Sequence, residues 1–192
     1  CATALAGHRA AILFNRYLMR CFMEIRKEET KDYEEIYEVV KRAFDSAEHA
    51  DGNEQDLVNE LRTGGSYIPQ LSLVAEENGK IIGHIMFTKA KVGAVDVLAL
   101  APLSVLPEYQ NKGIGTALIK EGHRIARQLG YSYSVVLGSE KYYPRFGYVP
   151  ASLFGIISPF DVPDKNFMAF NMKQDDTCIH GVMKYAREFG IE

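Results

Sequence analysis

Apolar residues recur along this chain in two rhythms, one of period two and one near 3.6, and the alternation between them predicts the elements. The segment Met23-Glu24-Ile25-Arg26 alternates like a strand. Thr30 then stands as a helix cap before Tyr33, Ile36, Tyr37, Val39, Val40, Ala43 and Phe44, which recur at helical spacing. From Asp45 to Gly52 the residues are small and polar, and Asn53 is placed to cap a second helix carrying Leu57, Val58 and Leu61, which Gly64-Gly65 stops. The runs LSLVA and IIGHIMF flank Glu77-Asn78-Gly79-Lys80, so Asn-Gly predicts a type I′ hairpin. The apolar run from Val95 to Leu106 is a further strand, and Pro102 within it, unable to donate a ladder hydrogen bond, implies a bulge or a splayed edge.

After Pro107 the helical rhythm returns from Gly113 to Leu129, with Ile114, Leu118, Gly122, Ile125 and Leu129 on one stripe and Gly130 as a stop. SVVL predicts a buried strand, Glu140 to Phe146 a short aromatic helix or turn, Phe167 to Met172 another strand, and Val182 to Phe189 a terminal helix. The Pro150 to Pro163 stretch predicts a long loop over a binding cleft. The fold class that follows is α/β (α+β), with a first half that is largely antiparallel.

Composition narrows the function. At 192 residues and 47% hydrophobic content the chain can bury a core without disulfides or a structural metal. Lys and Arg number 22 against 25 Asp and Glu, a net charge of −3 that offers no general attraction to nucleic acid or anionic lipid. Cys1, Cys21 and Cys178 form no C-x-x-C pair, and their odd number argues for a reducing cytoplasm. No stretch has the eighteen or so apolar residues of a membrane helix. Residues 1–22 scatter His8, Arg9, Arg16 and Arg20 among apolar positions, unlike a signal peptide. They read as an upstream or non-native extension before Met23, with an amphipathic helix as the competing reading, and residues 23–192 as one domain. His49 and His123 have no partner at metal-ligand spacing, so no metal is expected.

The chemistry concentrates in LSVLPEYQNKGIGTALI, where a strand leaves through Pro107 into a glycine-bearing turn that opens the long helix. The first amides of a helix lack internal partners and sit at its positive end, and Gly113 and Gly115 allow a phosphate to approach. A Rossmann fingerprint would need a small residue where Leu118 stands, and a Walker sequence would need Gly-Lys-Ser/Thr; neither is present. A purely structural turn explains the glycines alone equally well.

Gln110-Asn111-Lys112-Gly113-Ile114-Gly115 resembles the Q/R-x-x-G-x-G/A signature of the GNAT superfamily of N-acetyltransferases. Tyr142-Tyr143-Pro144-Arg145-Phe146-Gly147-Tyr148 resembles the aromatic segment after that family's fifth strand. The element order from Met23 onward is similar too, most of all to the YhbS-like branch. The resemblance implies a mixed, mostly antiparallel sheet with a splayed strand pair, flanked by helices, that binds acetyl-coenzyme A. It implies that Gln110, Asn111, Lys112, Gly113, Ile114, Gly115 and Thr116 hold the pyrophosphate. Leu103, Ser104 and Val105 would pair with the pantetheine arm, a backbone N–H near Val105 would stabilise the oxyanion, and Tyr143 would protonate the departing thiolate.

A model phenol at pKa about 10 and a thiol at about 8.5 make that last transfer uphill by only about 2 kcal/mol. The plainer reading of Tyr142, Tyr143, Phe146 and Tyr148 is an aromatic cluster, which for Tyr142 is the preferred one. An amine of pKa about 10.4 also needs a base. Glu76, His84 and Glu140 are the candidates, against the plainer readings of a half-buried, hydrogen-bonded strand histidine and two solvated strand-end acids. Glu28, Glu29, Asp32, Glu34 and Glu35 read as a solvated helix face. With no Cys or Ser at a nucleophile position, the expected function is direct acyl transfer from coenzyme A to a primary amine, of a small molecule or a protein. An acyl-coenzyme A sensor without turnover is the alternative, and a homodimer is left open.

Overall fold

The computed structural model describes residues 23–45, 52–173 and 179–191. Cys1, Cys21, Cys178, His49 and the 1–22 segment lie outside them. The elements run β1 (Glu24–Lys27), α1 (Tyr33–Phe44), α2 (Glu54–Thr63), β2 (Tyr67–Glu77), β3 (Lys80–Val92), β4 (Val95–Val105), α3 (Ile114–Gln128), β5 (Tyr133–Leu137), β6 (Val149–Pro150), β7 (Ile156–Ile157), β8 (Phe167–Asn171) and β9 (Gly181–Lys184). The strand order is β1-β2-β3-β4-β5-β8-β6, with β9 joining β3 to β7. Only the β4–β5 and β7–β9 pairings are parallel among the described residues, so the mixed, mostly antiparallel sheet is as expected.

The hairpin turn forms with Asn78 at φ 54° and Gly79 at φ 77°, the positive pair that a type I′ turn requires. The helix α1 begins later than Thr30 suggests. Thr30–Asp32 is a 3₁₀ turn, and Glu29 and Asp32 form a reciprocal capping box around it. Asn53 does precede α2, without a side-chain cap bond. In α3 the buried stripe is Ile114, Leu118, Ile119, Gly122, His123 and Ala126, while Leu129 is 44% exposed at the helix end, where the core has already closed. Gly122 lets α3 lie directly on the Phe87 ring, which a Cβ there would overlap.

The terminal helix expected at Val182 to Phe189 is not formed. Gly181–Lys184 is strand β9, and Arg187–Phe189 is a 3₁₀ turn. Here Met183 is buried between exposed Val182 and Lys184, a period of two, and both sides of the segment are claimed by β3 and β7. Edge pairing therefore overrides a short apolar pattern that fits either period. The Pro150 to Pro163 loop also carries structure: a 3₁₀ turn at Ala151–Phe154 and strand β7.

The bulge anticipated at Pro102 is present. The register passes from Ile85↔Leu103 to Phe87↔Leu100, so β4 holds one extra residue opposite β3. On its other side β4 pairs with β5 only at Leu98↔Ser134 and Ala99↔Val135. Beyond Ala99 no pairing joins the two strands, which leaves a gap in the ladder between them. One face of the gap belongs to α3, the other to α1 and α2, whose Ile36, Val39, Val40, Val58 and Leu61 are buried.

Candidate active site

The turn before α3 is shaped by two residues in left-handed conformation, Asn111 at φ 60° and Gly113 at φ 86°. Gln110 N–H bonds to Pro107 O and Ala117 N–H to Gly113 O, while the amides between them, Asn111 to Thr116, make no backbone hydrogen bond among the described residues. Nothing approaches within 4 Å of a Cβ built on Gly113. Six consecutive free amides at the start of a 15-residue helix form an open, positively polarised cradle that suits a diphosphate. The Lys112 and Lys80 ammonium groups lie 5.0 and 5.4 Å from the Tyr109 ring centroid beside it. The Gln110 side chain turns away from the amides and donates to Val105 O at 3.1 Å, tying turn to strand.

Hydrogen-bond alternation orients the parted end of β4. Leu106 N–H bonds Ile82 O, so the opposed pairs Ile82/Leu106 and His84/Ser104 exchange backbone bonds. Leu103 and Val105, one residue out of phase, aim their N–H and C=O groups into the gap. The Leu103 side chain lies on the α3 side, close to Gly115, and Ser104 points to the opposite face, where its hydroxyl is buried.

The aromatic segment is a 3₁₀ turn, Tyr143–Phe146, following β5. Tyr142 places its hydroxyl over Gly115, at the helix start, and Arg145 stacks on its ring at 4.4 Å. Tyr143 packs on Gly138 and meets Tyr148 edge to face, with ring centroids 5.6 Å apart. Its hydroxyl makes no hydrogen bond among the described residues. Burial, with a smaller contribution from Tyr142, raises its pKa well above the usual phenol value, so the proton is held at neutral pH. Beneath it, the buried Tyr148 hydroxyl bonds Ser134 Oγ at 2.8 Å and His123 Nε2 at 2.9 Å. Burial, and then Arg127, push His123 down to about 4, so it is neutral.

The three candidate bases fare differently. Glu76 is ion-paired with Arg26, which also binds Asp32. Glu140 is paired with Lys165 and Asn166, which lowers its pKa. His84 is fully buried, not half-buried, and only one of its nitrogens is satisfied: Nε2 lies 3.1 Å from Ser72 Oγ and 3.2 Å from Glu28 Oε2. The reading of Glu28 and Asp32 as solvated acids is also wrong, since they are 4% and 5% exposed. Glu28 accepts bonds from Arg62 Nε and Nη2 and from the Tyr67 hydroxyl in addition to His84. Burial opposes its charge, but these donors hold the carboxyl far below the usual range. Sequence reasoning missed this cluster because its members lie just after β1 and on α2, β2 and β3, with no local pattern to join them. Among the described residues no three His, Cys, Asp or Glu side chains gather as a metal site.

A mixed sheet whose β4–β5 ladder ends beside a helix start with free amides fits one class, that of acyl-coenzyme A-dependent N-acyltransferases. Residues 22–148 match the model of the Acetyltransferase (GNAT) family, and the chain belongs to that family. It is 40% identical over 147 residues to the uncharacterized N-acetyltransferase YjhQ of Escherichia coli, covering 74% of this chain and 78% of that one. The crystal structure of Escherichia coli YhbS in complex with CoA superposes with a TM-score of 0.80 at 27% identity, covering 88% and 93% of the two chains. A Brucella melitensis GNAT acetyltransferase in complex with acetyl-CoA gives a TM-score of 0.74 at 32% identity, over 88% and 99%.

Proposed function

We propose that this chain transfers an acetyl or other short acyl group from coenzyme A to a primary amine, by direct attack in a ternary complex. The single observation that carries the reading is the row of free amides from Asn111 to Thr116 opening beside the gap between β4 and β5. Acetyl-coenzyme A would supply an activated thioester. Gln110, Asn111, Lys112, Gly113, Ile114, Gly115 and Thr116 would hold its diphosphate, the backbone of Leu103 and Val105 its pantetheine arm as an added strand does, and Ser104 would stand between them.

Val105 N–H, aimed into the gap, would donate to the thioester oxygen as charge develops there. Tyr143 keeps its proton until a thiolate leaves and then donates it. Burial raises the phenol, which weakens it as an acid, and the same surroundings would raise a departing thiol in the same direction. Two protons leave the amine nitrogen in all. One restores Tyr143, and the other must find a base and then solvent.

The relatives' CoA and acetyl-CoA complexes support the donor; the acceptor is an amine of a small molecule or a protein. No helix among the described residues is long and apolar enough to cross a membrane, and a cytoplasmic site of action accords with a coenzyme A-dependent reaction. A panel of amines assayed by free-thiol release tests the proposal. Amine-dependent release by the wild type is expected, with turnover of Tyr143→Phe lower by about a hundredfold or more at unchanged acetyl-coenzyme A affinity. Tight cofactor binding without turnover on any amine would replace the enzyme by a sensor.

A further inference from the structure

His84 Nδ1 and Ser104 Oγ are both buried and both without a hydrogen-bond partner among the described residues. They belong to directly opposed residues of β3 and β4, on the face of the sheet away from α3. Opposed side chains in such a pair start from Cβ atoms about 5 Å apart, within reach of a single water molecule. Buried polar atoms left unpaired are costly, and two on facing residues point to a shared occupant.

The other side of the imidazole fixes its tautomer. Glu28 Oε2 can only accept, because Arg62 and Tyr67 donate to the same carboxylate and keep it ionised. His84 Nε2 therefore carries the hydrogen, and Nδ1 presents a bare lone pair. Ser104 lies between Leu103 and Val105, the two residues whose backbone faces the gap, and the bulge at Pro102 is two residues away.

We propose that Glu28, His84 and Ser104 form the proton-accepting relay of the acyltransfer, with His84 Nδ1 and Ser104 Oγ holding a water that takes the proton of the incoming ammonium group. This rests on the acetyltransferase reading above. The ammonium gives one N–H proton to the water, and the water passes one of its own to Nδ1. The freed amine forms the C–N bond as the C–S bond breaks, and the leaving sulfur takes the Tyr143 proton. The nitrogen's second proton returns to Tyr143, and the imidazolium discharges to solvent when product leaves. His84 acts through the water and is thus a positioning and proton-accepting residue.

The charged and titratable groups facing His84 are Glu28 beyond β1 and Arg62 from α2, with Tyr67 of β2 reaching it through Glu28. From β4 it meets Ser104, which does not titrate in the working range. Burial lowers the histidine, and only Glu28 opposes this, so Nδ1 is unprotonated at neutral pH.

Two measurements on the full chain test the relay. Histidine-selective nitrogen-15 NMR of the unliganded protein reads the tautomer without turnover. A neutral His84 protonated at Nε2 is expected, and a proton on Nδ1 at neutral pH would overturn the proposal whatever the enzyme does. The pH profile of kcat/KM for the amine is the second. His84→Gln keeps a donor for Glu28 but removes the lone pair, and Ser104→Ala loosens the water, so both are expected to bind acetyl-coenzyme A as the wild type does. His84→Gln should lose about a hundredfold at about pH 7 and recover towards wild type near pH 10, where the amine sheds its own proton. Ser104→Ala should show the same recovery from a smaller loss. A loss that is constant with pH, or no loss, would overturn the relay while leaving amine-dependent turnover intact. Absence of turnover in the wild type would instead remove the acetyltransferase reading, and the relay with it.

Discussion

Tyr143 and His123 show how burial sets protonation at the level of single residues. Neither makes an ion pair, and burial is the largest cause that holds each neutral, with Arg127 adding to it at His123 and Tyr142 at Tyr143. For His123 the folded value of about 4 lies below the ordinary 6.5, so the unfolded chain binds the extra proton first. The sign follows: its stabilising contribution is complete above pH 6.5 and is lost as pH falls towards 4, by about 3 kcal/mol in all. Urea midpoints recorded across that window should fall with acid, and the slope should lessen in His123→Gln. The Tyr143→Phe variant should leave the urea midpoint near wild type, because its hydroxyl makes no bond, while turnover falls. A midpoint that dropped with turnover would return Tyr143 to the aromatic cluster.

The two sequence motifs were legible at this scale because each is local. Gln110 to Gly115 and Tyr142 to Tyr148 are contiguous, and a turn with glycine at fixed offsets reads directly as backbone geometry. Glu28 was not legible. Its partners Arg62, Tyr67 and His84 are 34, 39 and 56 residues away, and an acid beside a helix start reads as a solvated cap until the fold brings donors to it.

At the scale of elements, long periodic segments declared themselves and short ones did not. Helices α1, α2 and α3 and the β2–β3 hairpin follow from apolar spacing, because each repeats its period over two or more turns or several alternations. Strand β9 has four residues, too few to separate a period of two from 3.6, and its identity is decided by the β3 and β7 edges beside it. Pro102 did carry a message over distance: a missing donor in an apolar run became the bulge next to the gap.

Close helix-to-sheet approach can be tested here. Gly122→Ala places a Cβ inside the Phe87 ring, so α3 must shift outward, and a loss of about 1 to 3 kcal/mol is expected in denaturant unfolding. The same shift would move the amide cradle, so acetyl-coenzyme A affinity should fall as well. Gly130→Ala, with open space around it, should instead cost only the strain of its positive φ, about 1 kcal/mol, and leave affinity unchanged.

At the scale of the molecule, the sheet separates two chemistries. The α3 face presents uncompensated amides, and the α1 and α2 face buries a satisfied carboxylate, a neutral histidine and unpaired hydroxyls. The gap between β4 and β5 is where the faces meet, so a thioester entering from one side and an amine from the other would meet at Val105. Binding of acetyl-coenzyme A at a hundred times its dissociation constant should add about 2.7 kcal/mol to stability, read as a thermal shift.

The most direct measurement is a crystal structure of the chain with acetyl-coenzyme A. The diphosphate is expected within hydrogen-bond distance of the Asn111 to Thr116 amides and the pantetheine arm along Leu103 and Val105, with the thioester oxygen at Val105 N–H. A diphosphate bound elsewhere, or a gap filled by side chains with the cofactor excluded, would contradict it.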